Sequence, residues 1–233
     1  MGQVRMAENE KKASDKKPVL AKENVTELLY KKFLNVYDLS YRPGSHYYTA
    51  TRRDRDNLAA TKSVEELRRM QPDAVTCVLI LKVDGKEPRL VLTEEFRYPV
   101  GQFLLSIPAG LLDAEDLSCG EPVFQAARRE LQEETGIFLE EQDEIKMVNP
   151  LLFSSPGMTD ESNAIVQITL NRKEEPAFSQ SGAVGGECFD GFRLVNRKEA
   201  MELLKSGTDE DGIFYSCFTW VALMCFVTGI WSD

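Results

Sequence analysis

Glu130 and Glu134 stand one helical turn apart in EPVFQAARRELQEETGI, the stretch from Glu121 to Ile137, and two carboxylates at that spacing suit the holding of a hard cation. Pro122 fits the first helical position, where its missing N–H costs nothing, and Gly136 fits the left-handed residue just past the end. The spacing predicts a helix of about three and a half turns between them. At roughly 100° per residue, Phe124, Ala127 and Leu131 form an apolar stripe, with Val123, Glu130 and Glu134 along one edge. Both acids are therefore expected half-shielded at the rim of the core. Glu133 lies farther round, one turn from Arg129, which can pair with it and hold it in place. A solvated acidic helix would account for the acids but not for the proline and glycine that bound them.

The order Glu121, seven residues, Arg129, Glu130, Leu131, one residue, Glu133, Glu134, one residue, Gly136, Ile137 resembles the Nudix box, E-x(7)-R-E-U-x-E-E-x-G-U with U a bulky apolar residue. There is one departure. Gly110 precedes Glu121 by eleven positions, more than the family pattern places there, and the surplus within DAEDLSCG reads as a lengthened loop. The resemblance implies an α/β (α+β) fold, the Nudix α/β/α sandwich, and hydrolysis of a nucleoside diphosphate linked to a second group. Such chemistry needs no covalent nucleophile, and the sole histidine, His46, stands far upstream with no Ser or Cys partner in sequence.

Further pieces resemble one branch of that family, the ADP-ribose (ADP-sugar) pyrophosphatases: PDAV opening an apolar strand, EEFRYPVG, SIPAGLLD, and SSPGMTDE downstream of the box. That resemblance implies ADP-ribose going to AMP and ribose 5-phosphate, and a homodimer built through a small N-terminal β subdomain that helps bind the adenosine part of the partner's substrate. Mg2+ is the implied cofactor, with Mn2+ as an alternative: it takes oxygen ligands, usually a couple of carboxylates plus phosphate oxygens and waters. Glu130, Glu134, the Ala109 carbonyl before Gly110, and Glu187 are the implied metal ligands. Glu187, Glu133 and Arg129 are the implied catalytic residues, with Glu187 the only acid between Glu175 and Asp190 in the loop where the family draws its late base. Substrate contacts fall to Arg52, Arg53 and Arg97, and to Ser155, Gly157 and Glu161 of SSPGMTDE, where Glu161 matches a ribose-binding glutamate. Whether Glu187 or Glu161 is the general base stays open at this point. So do other Nudix substrates (different nucleotide sugars, dinucleoside polyphosphates, NADH) and a sensing module that binds ADP-ribose without cleaving it, although an intact box disfavours the last.

The elements that must position these residues follow from the pattern of apolar residues. A chain of 233 residues can bury a full core, and 42% hydrophobic with 28% charged content is ordinary for a globular protein. The net charge of −10 argues against a general nucleic-acid or membrane surface, while a divalent metal and local arginines can reverse the sign inside one pocket. Five cysteines without paired spacing suggest reduced thiols and a cytoplasmic location. Residues 1–24 read as a charged, disordered leader, 25–71 as the β subdomain and 72–233 as the hydrolase domain. Within them, Ser63 to Met70 carries a Ser-x-x-Glu capping box, and Ala74 to Val83 is a buried strand. Arg89 to Glu94, Leu104 to Ile107, Ile145 to Phe153, Asn163 to Leu170 and Phe189 to Val195 are further strands. Asn171 to Gly186 is a long polar loop, Arg197 to Lys205 a helix, and Phe214 to Ile230 a buried C-terminal helix rather than a membrane span.

Overall fold

A computed structural model describes residues 18–182 and 186–231, and the chain divides by its contacts into two units. The smaller comprises residues up to Met70 together with 155–161. Its antiparallel sheet runs β1 (Val25–Tyr30), β2 (Asn35–Arg42), β3 (Ser45–Thr51). Strand alternation turns Tyr37 and Leu39 inward, where they meet Val25 and Leu58 in a small core, while Leu28, Tyr30, Phe33 and Tyr48 remain exposed. The segment 155–161, which the sequence places simply as a loop between strands, joins this unit: Ala50 donates to the Met158 carbonyl at 3.0 Å, and Asp160 accepts from the Ala59 amide at 2.9 Å. His46 pairs with Asp38 at 2.8 Å. Ser63 and Glu66 form the expected capping box on a single turn, α1 (Val64–Leu67). Most of the expected leader lies outside the described residues, and Lys22–Asn24 make a 3-10 turn into β1.

The larger unit is organised by β4 (Ala74–Val83), whose apolar, β-branched run cannot face water on either side. With β5 (Arg89–Arg97), β6 (Gln102–Ser106), β7 (Ala109–Leu111), β8 (Glu144–Phe153), β9 (Ser162–Arg172) and β10 (Phe189–Val195) it builds one sheet of order β10-β5-β4-β9-β8, with β6 on β5 and β7 on β4. Only β4 and β9 run parallel; the other pairings are antiparallel. Because side chains alternate, Val75, Cys77, Leu79 and Leu81 face α3 (Pro122–Thr135), which follows a short helix α2 (Ala114–Leu117). Val78 and Ile80 face α4 (Arg197–Ser206) and α5 (Cys217–Thr228). The result is the expected α/β/α sandwich, with α3 on one face and α4 and α5 on the other.

Local chemistry sets the ends of these elements. Pro122 opens α3, and Gly136 closes it at φ 69°, its N–H bonded to the Gln132 carbonyl. Asn196 caps α4 in a reciprocal box with Glu199, worth about 1 kcal/mol. Three expectations need correction. The surplus before the box is not a plain loop: Asp113 caps Glu115 and Asp116 and winds α2. The polar loop starts later than Asn171, because Arg172 extends β9 by pairing with Asp143 and Glu140. The C-terminal helix is shorter than Phe214 to Ile230, and no helix among the described residues is long and apolar enough to cross a membrane.

Candidate active site

Glu130 and Glu134 are not half-shielded at a rim. They are buried, at 4% and 3% exposure, within the face that α3 presents to the sheet. Ala126 and Ala127 are small enough to bring the helix close, and the acids enter the gap that Gly110 leaves open on β7. A Cβ on Gly110 would stand 1.9 Å from Glu130 Oε1, so only glycine leaves the carboxylate its place. The Ala109 amide donates to Glu134 Oε1 at 3.1 Å, while Glu134 Oε2 is buried with no hydrogen-bond partner.

An isolated carboxylate out of water is costly, and the group responds by holding its proton. Burial pushes Glu130 up to about 7, even though the Arg129 guanidinium 2.6 Å away pulls the other way. Burial also lifts Glu134 well above the usual carboxylate range; the Ala109 N–H opposes this, and Glu130, Glu95 and Glu187 add to it. A divalent cation fits these donors, because it would meet the orphaned oxygen and its charge would oppose the rise that burial causes. No group of three or more His, Cys, Asp or Glu side chains placed to hold a metal ion occurs among the described residues.

The shift has a measurable consequence. The unfolded chain releases the Glu130 proton near 4.5 and the folded chain near 7, so the folded state holds more protons between those values and loses stability as pH rises through them. The loss is on the order of 3 kcal/mol for the metal-free protein. Glu175, held at about 2 by Arg89 and Lys86, titrates below this window. Thermal melts in chelator should show the transition temperature falling from pH 4.5 to 7, with added Mg2+ or Mn2+ restoring more at pH 7.5 than at pH 5. A flat profile would remove this account.

Arg129 makes the expected pair with Glu133, at 3.2 Å, and considerably more. Its Nη1 also donates to Glu130, and its Nη2 donates to the Leu111 carbonyl at 2.8 Å and to Asp116 at 2.9 Å. Burial pulls the guanidinium down, but the Asp116 hydrogen bond and the Glu130 and Asp116 charges more than offset it and leave it raised. Asp116, at 2% exposure, escaped the sequence reading. Its signal was present in the Asp-x-x-Asp spacing from Asp113, a capping-box pattern.

Arg97 is held by Glu95 at 2.5 Å, since both fall on one face of β5. Glu95 was likewise missed; burial raises it, with Arg97 opposing and Glu187 adding. Glu187 is exposed, yet its charge reaches Glu95, Glu130 and Glu134. Its flanks are fastened to the end of β5: the Phe96 amide donates to the Cys188 carbonyl at 2.8 Å and the Tyr98 hydroxyl to the Gly186 carbonyl at 3.1 Å. Gly185, two positions before Glu187, lies outside the described residues. Cys77 is no nucleophile: burial, with Glu134 and Glu130, pushes its thiol up, away from the reactive thiolate.

In the smaller unit, Arg52 Nε donates to Glu161 at 2.8 Å, joining two of the expected substrate contacts. Arg53 is buried and donates to the Asp160 carbonyl at 3.1 Å. The Ser155 carbonyl accepts from the Met158 and Thr159 amides, and the Gly157 carbonyl accepts from the Tyr47 hydroxyl.

The chain is 34% identical over 122 residues to the ADP-ribose pyrophosphatase of Saccharomyces cerevisiae, covering 50% of this chain and 49% of that protein. It is 33% identical over 99 residues to the ADP-sugar pyrophosphatase of Mus musculus, covering 42% and 41%. It spans about half the length of the curated relatives it matches. A solved ADP compounds hydrolase shares the fold over 93% of this chain and 94% of its own, at a TM-score of 0.53 and 20% identity. The NUDIX domain family model matches residues 70–216, more than half of the sequence and all of the carboxylate helix, and the chain belongs to the Nudix family.

Proposed function

We propose that this chain is a metal-dependent hydrolase of nucleoside diphosphate-sugars, with ADP-ribose cleaved to AMP and ribose 5-phosphate as its first substrate. The observation that carries the reading is the buried pair Glu130 and Glu134, whose orphaned oxygen lies beside the Ala109 backbone. The yeast and mouse relatives, named for ADP-ribose and ADP-sugars, support the substrate class. A divalent ion, Mg2+ first and Mn2+ second, would be held by Glu130, Glu134, the Ala109 carbonyl and Glu187, and when bound supplies charge neutralisation on the diphosphate and a more acidic water.

The chain's own residues do the rest. Arg97 meets the diphosphate, exchanging its Glu95 partner for phosphate oxygens, and suits them because its guanidinium is planar and always charged. Arg129 keeps Glu130 and Glu133 in place. Glu187 takes the proton from the attacking water. Glu161, oriented by Arg52, accepts hydrogen bonds from the sugar hydroxyls; Arg53 and the backbone of Ser155 and Gly157 complete the substrate contacts. If these roles hold, Glu187→Gln lowers kcat with KM little changed, and Glu161→Gln mostly raises KM. The reverse pattern would move the base to the 155–161 segment.

Exposed Leu28, Tyr30, Phe33 and Tyr48 support a homodimer through the β1–β3 sheet, and five free cysteines support a reducing, cytoplasmic setting. Light scattering at micromolar concentration should give twice the chain mass; a fully active monomer would remove the dimer. The function itself is tested by incubating the full chain with ADP-ribose, other nucleotide sugars, dinucleoside polyphosphates and NADH under Mg2+ or Mn2+, with products identified by mass. AMP and ribose 5-phosphate are expected from ADP-ribose. Tight binding without turnover would make the protein a sensor instead, and faster cleavage of another class would reassign the substrate.

A further inference from the structure

The surplus residues between Gly110 and the box have a defined end. Asp113 and Asp116 bond reciprocally, the Asp113 carboxylate accepting from the Asp116 amide at 2.8 Å and the Asp116 carboxylate from the Asp113 amide at 3.0 Å. That exchange winds α2 and turns Asp116 inward to 2% exposure, where the same Oδ2 also accepts from Arg129 at 2.9 Å. Burying a carboxylate for capping alone makes little sense, because Asp113 caps its turn from a half-exposed position. What Asp116 gains inside is a guanidinium already committed at its other end to Glu130 and Glu133.

We propose that Asp116 is a positioning residue for the carboxylate site: it holds the Nη2 end of Arg129, with the Leu111 carbonyl, so that Nη1 meets Glu130 and Glu133 from one fixed direction. The planar fork makes this effective, since fixing one nitrogen fixes the other. Without Asp116, the guanidinium keeps Asp113, Glu130 and Glu133 as its anionic partners and shifts onto the oxygens that a metal ion needs. The inserted helix thus acts on the site through a side chain that touches no substrate. This rests on the metal-site reading above, not on the identity of the substrate.

The test is Asp116→Asn in the full chain, which keeps the volume and much of the hydrogen bonding of α2, beside Asp116→Glu and a cycle with Arg129→Gln. Two quantities are read: Mn2+ affinity by calorimetry, which needs no turnover, and kcat and KM on ADP-ribose. Outer-shell partners of ligands typically contribute 10–100-fold. Asp116→Asn is therefore expected to weaken Mn2+ binding and lower kcat by about 10- to 100-fold with KM little changed, and Asp116→Glu to recover part of both. In the Arg129→Gln background the same change should have almost no effect, because the intermediary is gone. Equal losses in both backgrounds, or an Asp116→Asn protein with unchanged Mn2+ affinity, would overturn the proposal, leaving Asp116 a structural residue of α2. If the wild-type chain cleaves no nucleotide sugar, the function fails while the Mn2+ cycle still decides the role of Asp116.

Discussion

Glu134→Gln should cut metal-dependent turnover by about a hundredfold or more while leaving the metal-free fold as stable as before. The two halves of this expectation have one cause. In the metal-free protein, burial pushes Glu134 well above the usual carboxylate range and so favours its neutral form. Glutamine is nearly isosteric with that neutral acid, and its carbonyl can still accept from Ala109. What it cannot supply is the negative charge that the partnerless Oε2 would offer a metal ion once the proton leaves. Kinetics with Mg2+ and melts in chelator, run on the same preparations, separate the two effects. Full turnover, or a metal-free transition temperature lower by more than about 5 °C, would each contradict this account of the residue.

Gly110→Ala is expected to be nearly as damaging, although it removes no functional group. The new Cβ would fall 1.9 Å from Glu130 Oε1 and 2.0 Å from its Cδ, so the carboxylate must move by more than an ångström. Since the obstructing atoms belong to the free end of a side chain rather than to backbone, the fold can yield. The site cannot, and a displacement of about 1 Å at a reacting centre costs on the order of a hundredfold. A Gly110→Ala protein with unchanged kcat/KM would show that Glu130 works from another position.

The sequence made the sandwich legible because its core strands are long and consistent. Ala74 to Val83 reads as a buried strand on composition alone, and Pro122 and Gly136 mark α3 almost to the residue. Its reach stopped at depth and direction. A helical wheel ranks positions by angle, so it put Glu130 and Glu134 at the edge of the stripe; how far they sink depends on how close Ala126 and Ala127 let the helix come and on the space at Gly110, which are tertiary facts. Asp116 was overlooked for a similar reason. Nothing local says that the second acid of a capping box will turn inward to an arginine thirteen residues on. Glu95 stayed hidden beside the more conspicuous Arg97, and their contact appears only once β5 is extended and its alternate side chains share a face.

The parallel pairing of β4 with β9 governs how the molecule is made as well as how it is held. Ala74 meets Asn163 and Val83 meets Arg172, so each partner lies roughly ninety residues down the chain, and such distant closure is slow. On the ribosome, at about 5–20 residues per second, β4 emerges some five to twenty seconds before β9 exists. Throughout that interval a strand apolar on both faces has no parallel partner, and Ala127 and Leu131 of α3 lack the wall that Ala164, Val166 and Ile168 will provide. The newborn chain is most exposed to association with its neighbours in those seconds, through AVTCVLILKV.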